Sequence, residues 1–241
     1  MSLYIRGLYI DWDAVEPESY LRRIEAIRAL EDLRFRQPIT FFAGENGSGK
    51  STLLEAIAVA FGFNAEGGTR NYRFSTRDTH SELCEAIRLI RNPSQPRRGY
   101  FLRAESFYNV ATAEEGYAQV SREYHKKSHG ESFLAVAQDY FNGNGLYLLD
   151  EPEAALSPQR QLTLMLEMLR CAEENAQFIV ATHSPILLGM PGAEILSFDR
   201  GAIHPIAYEE TDSYRVTELW ARDRQRFLAH LLQDDGDGDE G

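Results

Sequence analysis

The octapeptide GENGSGKS, Gly44 to Ser51, fits the pattern G-x-x-x-x-G-K-[ST] at every fixed position. An apolar run, PITFFAG (38–44), leads into it and reads as a short buried strand. KSTLLEAIAVAFGF (50–63) leads out of it and reads as a helix. Strand, glycine-rich loop and helix in that order make a phosphate cradle. Glycines let backbone N–H groups crowd around an anion. The helix N-terminus adds positive potential. In such a cradle Lys50 reaches the outer phosphates and Ser51 offers a hydroxyl to Mg²⁺. Lys50 is expected to be an exposed loop lysine. The whole stretch Gly44, Glu45, Asn46, Gly47, Ser48, Gly49, Lys50, Ser51 and Thr52 is the expected nucleotide contact. Chance alone gives the four fixed positions in about one chain in a hundred of this length. The strand and helix on either side make a chance match rarer still.

About a hundred residues downstream, LYLLDEPEAALS (146–157) supplies the complementary half. Four apolar residues read as a buried strand that delivers Asp150 to the sheet edge, where a carboxylate can hold the Mg²⁺ shell. Glu151 follows at once and is the expected base that polarises an attacking water. VATHSPIL (180–187) places His183 just past another apolar strand. That histidine can contact the terminal phosphate or position the water. It can also simply cap the turn at Ser184–Pro185.

HKKSHGES (125–132) holds two serines, two histidines and a glutamate, the residue types of a hydrolase site. A hydrolase reading needs a G-x-S-x-G elbow after a strand, and neither is present. Ser128 instead lies 22 residues before Asp150, with one expected helix and one turn between. It is either a plain helix cap or, with Gly130, a phosphate contact at a helix start.

The order of these four motifs, from about Leu3 to about Tyr208, resembles ABC-type P-loop ATPases. DEPEAALSP is similar to the compact soluble branch of the SMC/RecF type. The resemblance implies an α/β fold with a mainly parallel sheet flanked by helices and a small helical, arginine-rich insertion. It implies binding and hydrolysis of ATP with Mg²⁺, and an ATP-dependent homodimer in which KSHGE serves as a degenerate signature over the partner's nucleotide. Ser128 and Gly130 keep the positions that matter there. Lys127, His129 and Glu131 depart from the Leu-Ser-Gly-Gly-Gln pattern. Ser157 stands where the family's D-loop aspartate is usual, and the Q-loop glutamine is not evident. Its counterpart is Glu105, either a Mg²⁺-side ligand or a partner for one of the arginines. By analogy the resembled branch works with a protein partner, such as a nuclease or other effector, and DNA is a further candidate partner. The alternative is the nucleotide-binding subunit of a membrane transporter, which the altered signature and missing glutamine disfavour.

Bulk properties bound these readings. The 241 residues suit a single domain over 1–233 with an insertion at about 64–99 and an acidic tail over 234–241, expected to be disordered. Hydrophobic residues make up 43% and charged residues 26%, ordinary for a globular chain. No apolar run of about eighteen residues occurs, and the N-terminus does not read as a signal peptide. Cys84 and Cys171 cannot build a disulfide framework, so a reducing cytoplasm is the expected compartment. The net charge of −12 disfavours long-range attraction to DNA or an anionic membrane. Yet from Gly67 to Arg103 eight arginines face three acids. With Tyr72, Phe74, Tyr100 and Phe101 interleaved, that segment either binds nucleic acid by phosphate contact and stacking, or is a solvated lobe.

Further expected elements are a strand at SLYIRGLYI (2–10), one helix within EPESYLRRIEAIRALEDL (16–33), and a helical stretch near SELCEAIRLI (81–90). GYFLRAESF (99–107) reads as a strand. Helices are expected at 131–141 and 157–174, and a strand at 177–184. A hairpin should turn at DRG in 194–208, and one last helical region covers 216–232.

Overall fold

Alternation along three central strands builds the two faces of the molecule. The computed structural model describes residues 3–70, 81–103 and 129–234. Its strands are β1 (Ile5–Ile10), β2 (Asp32–Arg34), β3 (Ile39–Ala43), β4 (Gly68–Thr69), β5 (Ile87–Arg91), β6 (Arg98–Arg103), β7 (Gly145–Asp150), β8 (Gln177–Ala181), β9 (Glu194–Ser197) and β10 (His204–Pro205). The helices are α1 (Glu25–Arg28), α2 (Lys50–Phe61), α3 (Leu83–Ala86), α4 (His129–Tyr140), α5 (Pro158–Glu173), α6 (Pro185–Leu188), α7 (Asp212–Arg222) and α8 (Arg224–Asp234). The main sheet has the order β10-β9-β3-β8-β7-β6-β4. Its five inner strands run parallel, and β4 and β10 are antiparallel edges. A smaller antiparallel sheet has the order β2-β1-β5.

Strands β3, β7 and β8 are buried at every position, as strands covered on both faces must be. Phe42, Leu146, Leu148, Ile179 and Ala181 point to one core, shared with α2 and the small sheet. Phe41, Tyr147, Leu149, Phe178 and Val180 point to the other, shared with α4 and α5. The period of two feeds both cores from the same strands. Full burial of each large aliphatic or aromatic side chain contributes about 1.5–3 kcal/mol. Gln177 ties the sheets together: its amide accepts from the Ile5 N–H at 2.9 Å and donates to the Ile5 carbonyl at 2.8 Å.

The expected α/β architecture with a mainly parallel sheet is what the chain adopts. Two expectations need correction, and the last helical region, helical as expected, gains a break. The single helix expected in 16–33 is a 3₁₀ turn (Tyr20–Arg23) and the one-turn α1, split at Ile24, which is extended (φ −81°, ψ 101°). Helical spacing in that segment marks residues that pack, yet the extended kink lets both Ile24 and Ile27 rest on Gly49 of the phosphate loop. Tertiary contact overrides local propensity there. In 81–90 only Leu83–Ala86 is helical. Ile87–Arg91 is a strand paired along β1, because β1 offers a free edge to a segment carrying two isoleucines and a leucine. The final helical region is two helices. Asp223 leaves the helix (φ −152°, ψ 86°), and its carboxylate accepts from the Arg226 N–H at 3.0 Å, capping α8. The hairpin turns at DRG as expected, with Arg200 and Gly201 both left-handed. The acidic tail beyond Asp234 lies outside the described residues.

Candidate functional site

The chain leaves β3 at Ala43 and makes its loop with Gly44, Gly47 and Gly49 at φ +142°, +80° and +101°. Gly49 has two reasons to be glycine. Its φ is left-handed, and a Cβ there would lie 2.7 Å from Ile24 Cγ2 and 2.9 Å from Ile27 Cγ1. Gly49→Ala is expected to cost at least the roughly 1–2 kcal/mol of the left-handed conformation. It should also shift the loop. A lowered melting temperature together with weakened nucleotide affinity is the expected pair of results, and an unaltered protein would contradict this account.

Lys50 is not the exposed loop residue expected from sequence. It is 4% exposed and opens α2 from beneath the loop. Its ammonium donates to the Gly44 carbonyl at 2.8 Å and the Glu45 carbonyl at 2.7 Å. Burial lowers its pKa, while Glu151, Asp199, Asp150 and Glu153 push it back up. Those carboxylates oppose the effect of desolvation and favour the charged form.

Asp150 closes β7. In the sheet β8 stands between β7 and the loop strand β3. The Ser51 hydroxyl on the first turn of α2 spans that gap and donates to Asp150 Oδ1 at 2.8 Å. Two residues 99 positions apart thus meet. The Ser48 hydroxyl is buried with no hydrogen-bond partner, an arrangement that costs about 1–3 kcal/mol unless an acceptor or donor is supplied. A glycine cradle, a buried ammonium, an unpartnered hydroxyl and a serine–aspartate oxygen pair together fit a nucleotide phosphate with Mg²⁺. That cation is commonly held by one or two protein ligands plus phosphate oxygens. Accordingly, no group of three or more His, Cys, Asp or Glu among the described residues could hold a metal alone.

Glu151 adopts the left-handed conformation (φ 48°, ψ 51°), rare for a residue with a side chain. The geometry is held on both sides. Its N–H donates to the Ala181 carbonyl of β8 at 2.9 Å, and Pro152 opens the following 3₁₀ turn. The turn sends the Glu151 carboxylate off the strand edge. His183 Nε2 lies 3.7 Å from Glu151 Oε1, too far for a hydrogen bond, and makes none elsewhere. The His183 N–H donates to Glu153 Oε1 at 2.6 Å. The cap of α6 is made by Ser184, whose hydroxyl accepts from the Ile186 and Leu187 N–H groups. His183 is therefore not the cap of that turn.

The structure brings Lys50, Ser51, Asp150, Glu151 and His183 together at the carboxyl ends of the inner strands β3, β7 and β8. Glu45, Asn46 and Gly47 form the exposed tip of the loop, and Thr52 lies beside Ser51 in an open cleft that runs toward Tyr20 and Arg103. Gly130 falls in the first turn of α4. Ser128, Glu105, Tyr72 and Phe74 lie outside the described residues. Tyr100 and Phe101 are 1% and 0% exposed, so they cannot stack on bases; both serve the cores. Several arginines of that segment are held by the protein itself. Arg70 and Arg91 lie over the Phe61 ring, and Arg88 sits 3.5 Å from Asp11.

Sequence reasoning missed Asp199, Arg103 and Glu55. Asp199 Oδ1 accepts from the Glu45 N–H at 2.9 Å and so pins the loop from the hairpin. Arg103 Nη1 donates to Glu55 Oε2 at 2.6 Å. Arg103 had a signal: it ends an apolar strand, GYFLR, as Asp150 ends LYLLD, and the two are register partners. Asp199 had the same signal, since it follows the apolar run ILSF, and the parallel pairing of β9 with β3 sets it beside the loop.

Strand, glycine loop, helix and an acidic strand end one strand removed define a P-loop nucleotide-binding protein. A family model described as an AAA domain matches residues 21–149, more than half of the chain, and the chain belongs to that family. Nucleotide binding and hydrolysis are that family's general chemistry. A second AAA-domain model, whose description also names the AbiEii toxin of a type IV TA system, matches residues 126–189. No curated protein matches. Among solved structures, the chain is similar to the SMC head domain from Thermotoga maritima, with 15% identity, a TM-score of 0.47, and 85% of this chain and 99% of that one covered. It is also similar to an ATP-binding cassette of an ABC transporter, at 15% identity and a TM-score of 0.40 over 76% of this chain and 87% of that one. An SMC head bound to the C-winged helix domain of ScpA follows at 13% identity and 0.42, over 74% and 94%. Among the described residues no helix is long and apolar enough to cross a membrane.

Proposed function

We propose that the chain is an ABC-type ATPase that binds and hydrolyses MgATP in a composite site between two copies of itself. The observation that carries this reading is the meeting of the two motif halves: Ser51 bonded to Asp150 at 2.8 Å, with Lys50 buried beside them and Glu151 turned out beyond. Lys50 and the loop N–H groups hold the phosphates. Ser51 and Asp150 would hold Mg²⁺, with Glu105 as a further candidate, and the bound cation neutralises phosphate charge. Glu151 takes a proton from the attacking water, and His183 orients that water or the terminal phosphate. Closure and release of the two copies would drive a protein effector or a nucleic-acid-linked process, in the cytoplasm. The single domain over 1–233 would act as one unit in that cycle.

Ser128 and Gly130 are assigned to the partner's nucleotide. The test mixes two inactive variants. Lys50→Ala removes nucleotide binding, and Ser128→Arg blocks every shared lid. In a mixed dimer one site receives both changes and the other receives neither. Steady-state phosphate release should return, to at most about half of wild type per mixed dimer for independent sites. A mixture as inactive as its parents, with subunit exchange demonstrated, would overturn the composite-site reading. A helix cap predicts that failure.

A further inference from the structure

Arg103 places a permanent positive charge beside the carboxylate that the proposed site reserves for a cation. It closes β6 next to Asp150 in register. Its Nε lies 3.7 Å from Asp150 Oδ2 and, although buried, makes no hydrogen bond. Its Nη1 is committed elsewhere, to Glu55 Oε2 at 2.6 Å and the Ala65 carbonyl at 3.2 Å. Glu55 lies one turn beyond Ser51 on α2, so both side chains share a helix face. The other oxygen of Glu55 accepts from the Ser81 N–H at 3.1 Å, which fixes the carboxylate in place. The side chains of Arg103, Glu55 and Asp150 are 21%, 13% and 10% exposed, so water screens them weakly.

We infer that Arg103 is a positioning residue whose charge, divided between Glu55 and Asp150, sets how much Mg²⁺ the site requires. The inference rests on the ATPase reading above. A guanidinium keeps its charge in a protein, so its opposition to a second cation at Asp150 is tuned by geometry. Glu55 does the tuning. It draws the fork toward α2 and leaves the Ser51–Asp150 pair intact. Without the Glu55 charge, Arg103 is free to turn fully onto Asp150, and a divalent cation must displace it. Without Arg103, Asp150 and Glu55 both attract the cation with no guanidinium opposing them. The two neutralising substitutions therefore act in opposite directions, which no loss of packing would do.

The test uses the full chain and a fluorescent ATP analogue, titrated with Mg²⁺ in a binding assay that needs no turnover. Mn²⁺ binding followed by electron paramagnetic resonance gives a second readout. Arg103→Gln should lower the half-saturating Mg²⁺ by about tenfold, and Glu55→Gln should raise it by about as much. In the double variant the rise caused by Glu55→Gln should vanish. Curves that superimpose on wild type, or that shift the same way in both variants, would overturn the inference. Should Arg103→Gln fail to fold, Glu55→Gln decides alone: a raised requirement supports the inference, an unchanged or lowered one defeats it. Wild type that binds the analogue while the variants stay unmoved defeats only this inference. Wild type that binds no analogue at any Mg²⁺ concentration defeats the ATPase reading itself.

Discussion

Replacing Glu151 by glutamine is expected to slow ATP hydrolysis by roughly 10²–10⁴-fold, the range for a positioned general base, while leaving ATP binding intact. The amide keeps the size and shape of the carboxylate and removes only its charge. The left-handed turn survives, because it is held by the backbone bond to Ala181 and by Pro152, neither of which uses the side chain. Lys50 loses one of the four carboxylates that support its charge and keeps three. Single-turnover hydrolysis and equilibrium binding, measured side by side, separate the two effects. Turnover near wild type would remove Glu151 as the base and transfer the role to His183, Glu153 or Glu105.

Lys50→Ala is expected to abolish tight MgATP binding. Truncating one partner of a buried, hydrogen-bonded charge pair between protein and ligand costs about 2–5 kcal/mol of binding, or roughly 10–10³-fold or more in affinity. Calorimetric titration should show no heat at concentrations that saturate wild type. Undiminished affinity would defeat the assignment of Gly44–Ser51 as the phosphate loop. Burial adds a second consequence that an exposed lysine would not have. The variant leaves the Gly44 and Glu45 carbonyls without their donor, and the surrounding carboxylates without their cation. A modest fall in melting temperature should accompany the lost binding, and added salt, which screens the remaining repulsion, should reduce that fall.

Both predictions depend on geometry that the sequence supplied unevenly. GENGSGKS and LYLLDE specify their own local structure. Their apolar runs are buried whichever way the chain folds, and their glycines and chain reversals follow from backbone sterics. That is why the strand, loop and helix around Gly44–Ser51, the strand ending at Asp150, and the alternation of strands and helices in an α/β fold were legible without coordinates. Local pattern has no access to what happens when distant segments meet. The kink at Ile24 exists because two isoleucines must both cover Gly49. IRLI became a strand because β1 had an open edge. Tyr100 and Phe101 went to the cores because their strand lies inside the sheet. The burial of Lys50, the hold of Asp199 on the loop, and the sharing of Arg103 between Glu55 and Asp150 were likewise decided by tertiary structure. Each depends on groups tens of residues apart, brought within a few ångströms by the order of strands in the sheet. A sequence fixes which groups are available, and only the closing of the sheet fixes which of them share one low-dielectric space, where charge counts most.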